Sequence, residues 1–265
     1  MNIKMKKILF LLLAGLLITG NAWANGIDAN TSLIMHMDGL DDGTTFSDSS
    51  TSSSKGNAAV TATVTTETTG PKWGTAYADF DGSSGYLTYA DHADWDITTN
   101  WTLDLQVKHT DYTGVERYVG QWEDSGNNCW RLFHIGGVGI SFQIRSGAAT
   151  IVNLAYASPI TDSNWHHIAV CKVGNEYGLY LDGTQIKHTS DADMDTFAGS
   201  LFMGRPYDAT EYFDGGIDEL RIQQSNYFGA APVAELTDTI NVPTSAYSAP
   251  SVAPTGQIIW IDEIH

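Results

Sequence analysis

The sequence predicts an all-β fold of two antiparallel sheets packed face to face. Three observations carry this. Short runs rich in β-branched, Leu and aromatic residues recur along the chain, bounded by Gly, Asn, Asp and Ser, the punctuation of strands and tight turns. The stretch from Trp101 to His109 alternates, with Trp101, Leu103, Leu105 and Val107 on one side and Asp104, Gln106 and Lys108 on the other. That is the period of a strand with one face on a core and one in solvent. No stretch of useful length carries the 3.6-residue period of an amphipathic helix, so a sandwich or barrel is expected.

The chain opens with a processing signal. Lys4, Lys6 and Lys7 precede an apolar run from Ile8 to Ile18, and Ala22-Trp23-Ala24 is a small-x-small cleavage site. Residues 1–24 are therefore read as a cleaved N-terminal signal peptide, which predicts a secreted, extracellular or cell-surface protein. The apolar run falls short of the ~20 residues that span a bilayer, and nothing later qualifies, so membrane insertion is not expected. The formal net charge is −18. The leader holds three lysines and no acid, so the remainder is more acidic still, which argues against nucleic acid and anionic membranes as partners.

The predicted domain covers 25–245. Its strands are Ser32–Asp38, Ala59–Thr66, Ala76–Phe80, Gly85–Tyr89, Trp101–His109, Arg117–Trp122, Cys129–Ile135, Gly139–Arg145, Ile151–Ala155, Leu201–Gly204 and Ile217–Gln223. The central hairpin lies between the ninth and tenth of these. Trp165-His166-His167-Ile168-Ala169-Val170 runs on to a Gly174-Asn175 turn, then Leu179-Tyr180-Leu181 and the Asp182-Gly183 turn, a strong hairpin signal. Residues 246–265 read as a Pro/Ser-rich linker and a detached apolar strand, Gln257–Ile264, able to close an edge or self-associate. Cys129 and Cys171 both fall inside strands. A disulfide would need those strands adjacent, with Cα atoms within about 7 Å, so buried free thiols are the expectation.

Four blocks in order resemble the laminin G-like (LamG) domains of the concanavalin A-like superfamily. They are Met35-His36-Met37-Asp38-Gly39 followed by Asp48-Ser49-Ser50; Ala78-Asp79-Phe80-Asp81-Gly82 with Gly85-Tyr86-Leu87; Trp101-Thr102-Leu103-Asp104-Leu105-Gln106-Val107; and the hairpin above with Gly216-Ile217-Asp218-Glu219-Leu220-Arg221. Gln106 departs from the pattern, which carries an aromatic there. The resemblance spans roughly residues 30–228 and implies a two-sheet antiparallel jelly-roll sandwich. It also implies a structural role for His166-His167 and a calcium ion between the opening segment and the closing strand, here through Asp48 and Asp218. Calcium takes six to eight oxygen ligands, and free loop carbonyls beside Asp48 suit it.

The jelly-roll hydrolases of this superfamily carry Glu-x-Asp-x-x-Glu on one strand. That motif is absent, and Asp191-Ala192-Asp193-Met194-Asp195 lies in a polar stretch, so the acid pair of glycoside hydrolysis is not expected and the chain reads as a non-enzyme. Neither a Gly-x-Ser-x-Gly nucleophile elbow nor a phosphate loop occurs. Sugar recognition needs aromatic faces with planar polar groups at a rim. Three loops supply them: Tyr112; Trp122, Asp124, Asn127 and Asn128; and Arg205, Tyr207, Asp208 and Tyr212. The sequence is thus read as a non-catalytic binding module for a glycan or cell-surface protein, in recognition or adhesion. The alternatives are a structural subunit of an extracellular fibre or coat and, disfavoured, a glycosidase.

Overall fold

The computed structural model describes residues 26–51, 54–124, 126–155, 159–192, 196–208 and 210–248. Among them lie fifteen strands: β1 (Thr31–Met35), β2 (Ala59–Thr61), β3 (Thr65–Glu67), β4 (Tyr77–Asp81), β5 (Tyr86–Tyr89), β6 (Asn100–His109), β7 (Val115–Trp122), β8 (Cys129–Ile135), β9 (Gly139–Ser146), β10 (Ala149–Ala155), β11 (His166–Val173), β12 (Glu176–Leu181), β13 (Thr184–Ser190), β14 (Ser200–Met203) and β15 (Asp214–Gln223). One 3-10 turn, Ala93–Trp95, joins β5 to β6. The proposed signal peptide and the strand Gln257–Ile264 lie outside the described residues.

The strands form two antiparallel sheets. The larger runs β13-β12-β11-β6-β15-β4-β3, with β1 also on β15; the smaller runs β10-β9-β8-β7-β14-β5-β2. Strand β15 serves two partners on one edge: its first half pairs with β4 and its second half with β1. The first and last core strands therefore lie side by side, as the resemblance implied. A bulge between Asp218 and Arg221 separates the halves, with Glu219 at φ 51°. Inward residues of both sheets, among them Trp101, Leu103, Leu105, Trp130, Leu132, Phe142, Ile217 and Leu220, make one continuous core. Area-proportional burial of this kind is the dominant stabilising term.

Three expectations are corrected. The run 59–66 is two strands in different sheets, β2 on β5 and β3 on β4. Ala62 at φ 56° turns the chain between them, and Val64 fills the core at the crossing. The alternation of 59–66 was real, but its length hid the crossover. The polar face of β6 is not solvated as expected: Asp104 and Gln106 are buried and Lys108 is half-buried. The segment 226–248 crosses the outer face of the larger sheet, setting Phe228, Ala230 and Ile240 on Ala169, Cys171 and Tyr180. For the same reason the boundary at 245 cuts through packed structure. Tyr247 is buried against Ile27 and Ile34, and Gly26 bridges to Ser248.

Both cysteines are free and buried. Cys129 sits with Trp122 and Phe202 on the outer side of the smaller sheet, Cys171 with Tyr180 and Phe228 on the outer side of the larger. Two sheets packed about 10 Å apart lie between them, which excludes a bond.

Candidate functional site

The three loops singled out from the sequence do not converge. Tyr112, 36% exposed, caps the turn from β6 to β7, and Tyr207, 48% exposed, lies in the loop after β14. Both belong to the Val115 end of β7: the Glu211 carbonyl accepts from the Arg117 N–H at 3.3 Å, and Gly204 N–H donates to the Tyr118 carbonyl at 3.0 Å. Asp208 is exposed and Tyr212 half-buried there. Asp124, Asn127 and Asn128 form the β7–β8 turn at the other end, roughly 20 Å away at about 3.3 Å per residue.

Asp124 is committed to that turn. Its Oδ1 accepts the N–H groups of Gly126 (3.1 Å), Asn127 (2.7 Å) and Asn128 (3.0 Å), and its Oδ2 the Asn128 side-chain amide at 3.1 Å. The N–H of Asn128 leads in holding its pKa below the usual carboxylate range. Asn128 in turn accepts from Gly147 N–H at 2.9 Å, tying the turn to the β9–β10 hairpin. Asn127 is the exposed member. Trp122 does not offer a free ring: it is 2% exposed, packed on Phe202 and over Gly120. Its polar flanks are turn chemistry, while strand alternation sets it on the outer face among aromatics.

That outer face of the smaller sheet is the most distinctive surface of the molecule. In β8, Trp130 and Leu132 enter the core while Cys129, Arg131 and Phe133 face out; in β9, Phe142 and Ile144 enter while Gln143 and Arg145 face out. Arg117 of β7 and Arg205 after β14 complete the set, four of the five arginines in a strongly acidic chain. Arg117 lies 4.2 Å over the Phe133 ring with Arg131 at 5.3 Å, and Arg205 lies 3.8 Å over Tyr86 and 5.0 Å from Phe202. The rings thus lie beneath the cations, and the face presents guanidinium planes. Arg131 holds the Gln143 carbonyl oxygen at 2.7 Å, and Gln143 donates to Asn153 at 3.1 Å, extending a planar polar strip across β8, β9 and β10.

The charges are under-compensated. Arg117 pairs with Glu211, its Nε donating at 2.6 Å. Arg131, Arg145 and Arg205 have no carboxylate partner among the described residues, and Nη1 of Arg117, Nε of Arg145 and Nε of Arg205 are buried without any hydrogen-bond partner. Burial first, then the neighbouring Arg117 and Arg145, pull the pKa of Arg131 down. Like charges held together in this way favour an anion. Sequence reading took only Arg205 from the set; the signal available was the alternation that puts Arg131 and Arg145 opposite core residues.

Asp48 and Asp218, the residues expected to hold calcium, have different hydrogen-bond partners. Asp48 Oδ1 accepts from Ile34 N–H (3.2 Å) and Ser50 N–H (2.9 Å), and its Oδ2 from the Ser50 hydroxyl (2.8 Å) and Lys55 N–H (2.8 Å). Its acceptor capacity is spent on its own loop and on β1. Asp218 faces the 72–73 turn, its Oδ2 accepting from Lys72 N–H (2.9 Å) and Trp73 N–H (3.1 Å), while Oδ1 is buried without a partner. Asp218 is fully buried, and burial above all pushes its pKa up to about 8. The adjacent histidines diverge as strand geometry requires: His166 turns to Asp182 (2.7 Å), while His167 lies on the outer face of the larger sheet, buried against Phe228 and 3.2 Å from Asp104.

The two antiparallel sheets packed face to face define a concanavalin A-like β-sandwich. The laminin G-like pattern of the concanavalin A-like lectin/glucanases superfamily matches residues 81–227, and the chain belongs to that superfamily. Solved structures agree on the fold. Domain 4 of AbnA, an extracellular arabinanase of Geobacillus stearothermophilus in complex with arabinotriose, superposes with a TM-score of 0.58 at 17% identity, covering 80% of this chain and 94% of that one. The botulinum neurotoxin serotype D binding domain gives 0.56 at 14% identity, covering 76% of this chain. The neurotoxin DC binding domain in complex with SialylT gives 0.54 at 11%, covering 74%. This chain spans about half of those neurotoxin domains. No curated protein sequence matches it.

Proposed function

We propose that this protein is a non-catalytic glycan-binding module that captures an acidic glycan on the outer face of the smaller sheet. The observation that carries this reading is the group of Arg117, Arg131, Arg145 and Arg205, all but Arg145 lying over aromatic rings, with N–H groups of Arg117, Arg145 and Arg205 left unpaired. Guanidinium planes bind carboxylate or sulfate bidentately, more strongly than neutral pairs do. The strip of Gln143 and Asn153 beside them suits sugar hydroxyls. Similar folds described with arabinotriose, gangliosides and SialylT support a sugar as ligand. The exposed Tyr207 and the polar Asn127 stand at the two ends of β7, where an extended chain crossing the face would leave it.

The test is binding of the purified protein to uronate-rich or sulfated polysaccharide and to neutral arabinan, at low and high salt. Arg131→Gln with Arg145→Gln is expected to abolish capture of the acidic polymer, and salt to weaken the wild type. Equal affinity for arabinan, unaffected by these substitutions, would refute an acidic ligand. Release of reducing ends from any of these polymers would refute the non-catalytic reading.

A further inference from the structure

A second cluster lies at the Val115 end of the sandwich, inside rather than outside. His109 closes β6 of the larger sheet, while Glu116 of β7 and His134 of β8 pair in register in the smaller sheet. All three are buried, at 1%, 4% and 0% exposure, and one ligand atom from each lies within 4.8 Å of the others. Both ring nitrogens of His134 are buried without a hydrogen-bond partner, and so is Glu116 Oε2. That oxygen is 3.0 Å from His109 Nδ1, yet not aligned as its acceptor. Leaving a buried acceptor unpaired costs about 1–3 kcal/mol, and here several are gathered around one point.

The remaining contacts orient the group. His109 Nδ1 lies 3.1 Å from the Asp111 carbonyl oxygen, and its Nε2 lies 2.6 Å from the Tyr118 hydroxyl. The His109 ring stands edge-on to His134, centroids 4.8 Å apart, and against Phe213 at 5.3 Å. In the tautomer with the proton on Nε2, where Tyr118 accepts it, the Nδ1 lone pair points to the side where Glu116 and the Asp111 carbonyl converge. A ligating histidine is fixed by a hydrogen-bond partner on its far nitrogen, and the Tyr118 hydroxyl stands in that position here. Two imidazoles and one carboxylate are three side-chain donors of the type that zinc takes, with the fourth position left to a water or the Asp111 carbonyl. Calcium, which prefers six to eight oxygens, does not suit it.

We propose that His109, Glu116 and His134 hold one divalent transition-metal ion of the zinc class, which staples the larger sheet to the smaller beneath the Tyr112 turn. On binding, the ion takes the place of the Nδ1 proton. That proton is carried instead at Nε2, where it is donated to Tyr118, so the ring stays neutral. The staple fixes the exposed 110–114 turn, and with it Tyr112, at one end of the arginine face.

The experiment is done on the full chain, stripped with chelator and dialysed against zinc, then against calcium, with bound metal counted per chain. One zinc per chain is expected in the wild type and in His166→Gln, a control at the histidine between Asp162 and Asp182. His134→Gln and Glu116→Gln are expected to lower zinc affinity by about a hundredfold or more. Should both fail to fold, cobalt added to the stripped wild type decides: visible d–d bands of a tetrahedral nitrogen and oxygen site are expected. No zinc retained by the wild type, equal retention by folded variants, or cobalt without such bands would each overturn the proposal and identify the cluster as a water-filled polar pocket. None of these readouts depends on sugar binding.

Discussion

Arg221 and Asp104 face each other across β15 and β6, Nε to Oδ1 at 2.8 Å, both out of solvent. The pair lies on the outer face of the larger sheet, and the segment leading to Tyr247 seals it. Arg221 Nη2 donates to the Tyr247 hydroxyl at 3.1 Å, and that hydroxyl donates to Asp104 Oδ2. Tyr227 and Tyr247 stack on the guanidinium at 3.5 and 4.0 Å. A buried ion pair is worth little by itself, but breaking one strands a charge.

The first prediction follows from that geometry. Tyr247→Phe is expected to lower unfolding stability by about 1–3 kcal/mol, the cost of leaving buried groups unpaired. Arg221→Met, which removes the arginine from the buried Asp104 and leaves it only His167 and Tyr247, is expected to cost about 3–5 kcal/mol. A chain ended after Ser245 should be less stable than one ended after Ser248. Urea midpoints at unchanged slope measure all three. Equal midpoints for the two truncations would mean that residues 246–248 are an appendage.

The second prediction separates burial from exposure among the aromatics. Trp122→Ala removes a ring that is 2% exposed and wedged against Phe202, so it should cost about 3–5 kcal/mol as core truncations do. Tyr207→Ala, at an exposed loop tip, should change stability by less than about 0.5 kcal/mol. Thermal melts of the two variants beside the wild type suffice. A stable Trp122→Ala protein would mean that its neighbours collapse onto the space without loss.

How far the sequence could be read is visible in these same residues. Strands β6 and β8 were legible almost to the residue, because alternation and flanking turns mark them locally. The pairing of β1 with β15 followed from the family resemblance. What was not legible depends on segments far apart in the chain. Asp104 looked like a solvent-side residue because nothing near it announces that the 226–248 segment will cover it. Trp122 looked like a loop aromatic because its neighbours are polar, although its partners Phe202 and Cys129 come from other strands. His109, Glu116 and His134 have no metal-type spacing in sequence; the antiparallel register of β7 and β8 is what brings the last two together.

The third prediction concerns the thiols. Burial pushes the pKa of Cys129 up, and that of Cys171 far up, so little thiolate forms at neutral pH and neither sulfur is reachable. A thiol reagent should label no site in the native protein and two in denaturant, with or without prior reduction. Labelling in denaturant that appears only after reduction would reveal a disulfide and contradict the placement of the two strands on opposite outer faces.

The last prediction takes Asp218. It is buried at the β15 bulge, with Oδ1 unpaired and its pKa pushed up to about 8 by burial, then by the charge of Glu219, against the two N–H groups of Lys72 and Trp73. The folded state therefore binds this proton more tightly than the unfolded chain, where a carboxylate titrates near 3.9. Its contribution is fully present below that unfolded value and is lost as pH rises through about 8. Between pH 5 and 8 it should make stability fall by up to about 1.4 kcal/mol per pH unit. Neighbouring His36 titrates in the same sense: burial pulls its pKa down, but Glu219 raises it further. The difference between wild type and Asp218→Asn isolates the carboxyl. Unfolding free energies in chelator at pH 5, 6.5 and 8 are expected to show the variant gaining on the wild type at each step. A divalent cation that ligates the free Oδ1 binds the ionised form, and would restore the wild type at pH 8 while leaving the variant unchanged. Parallel pH profiles for the two proteins would show that Asp218 is ionised throughout and that the bulge solvates its charge.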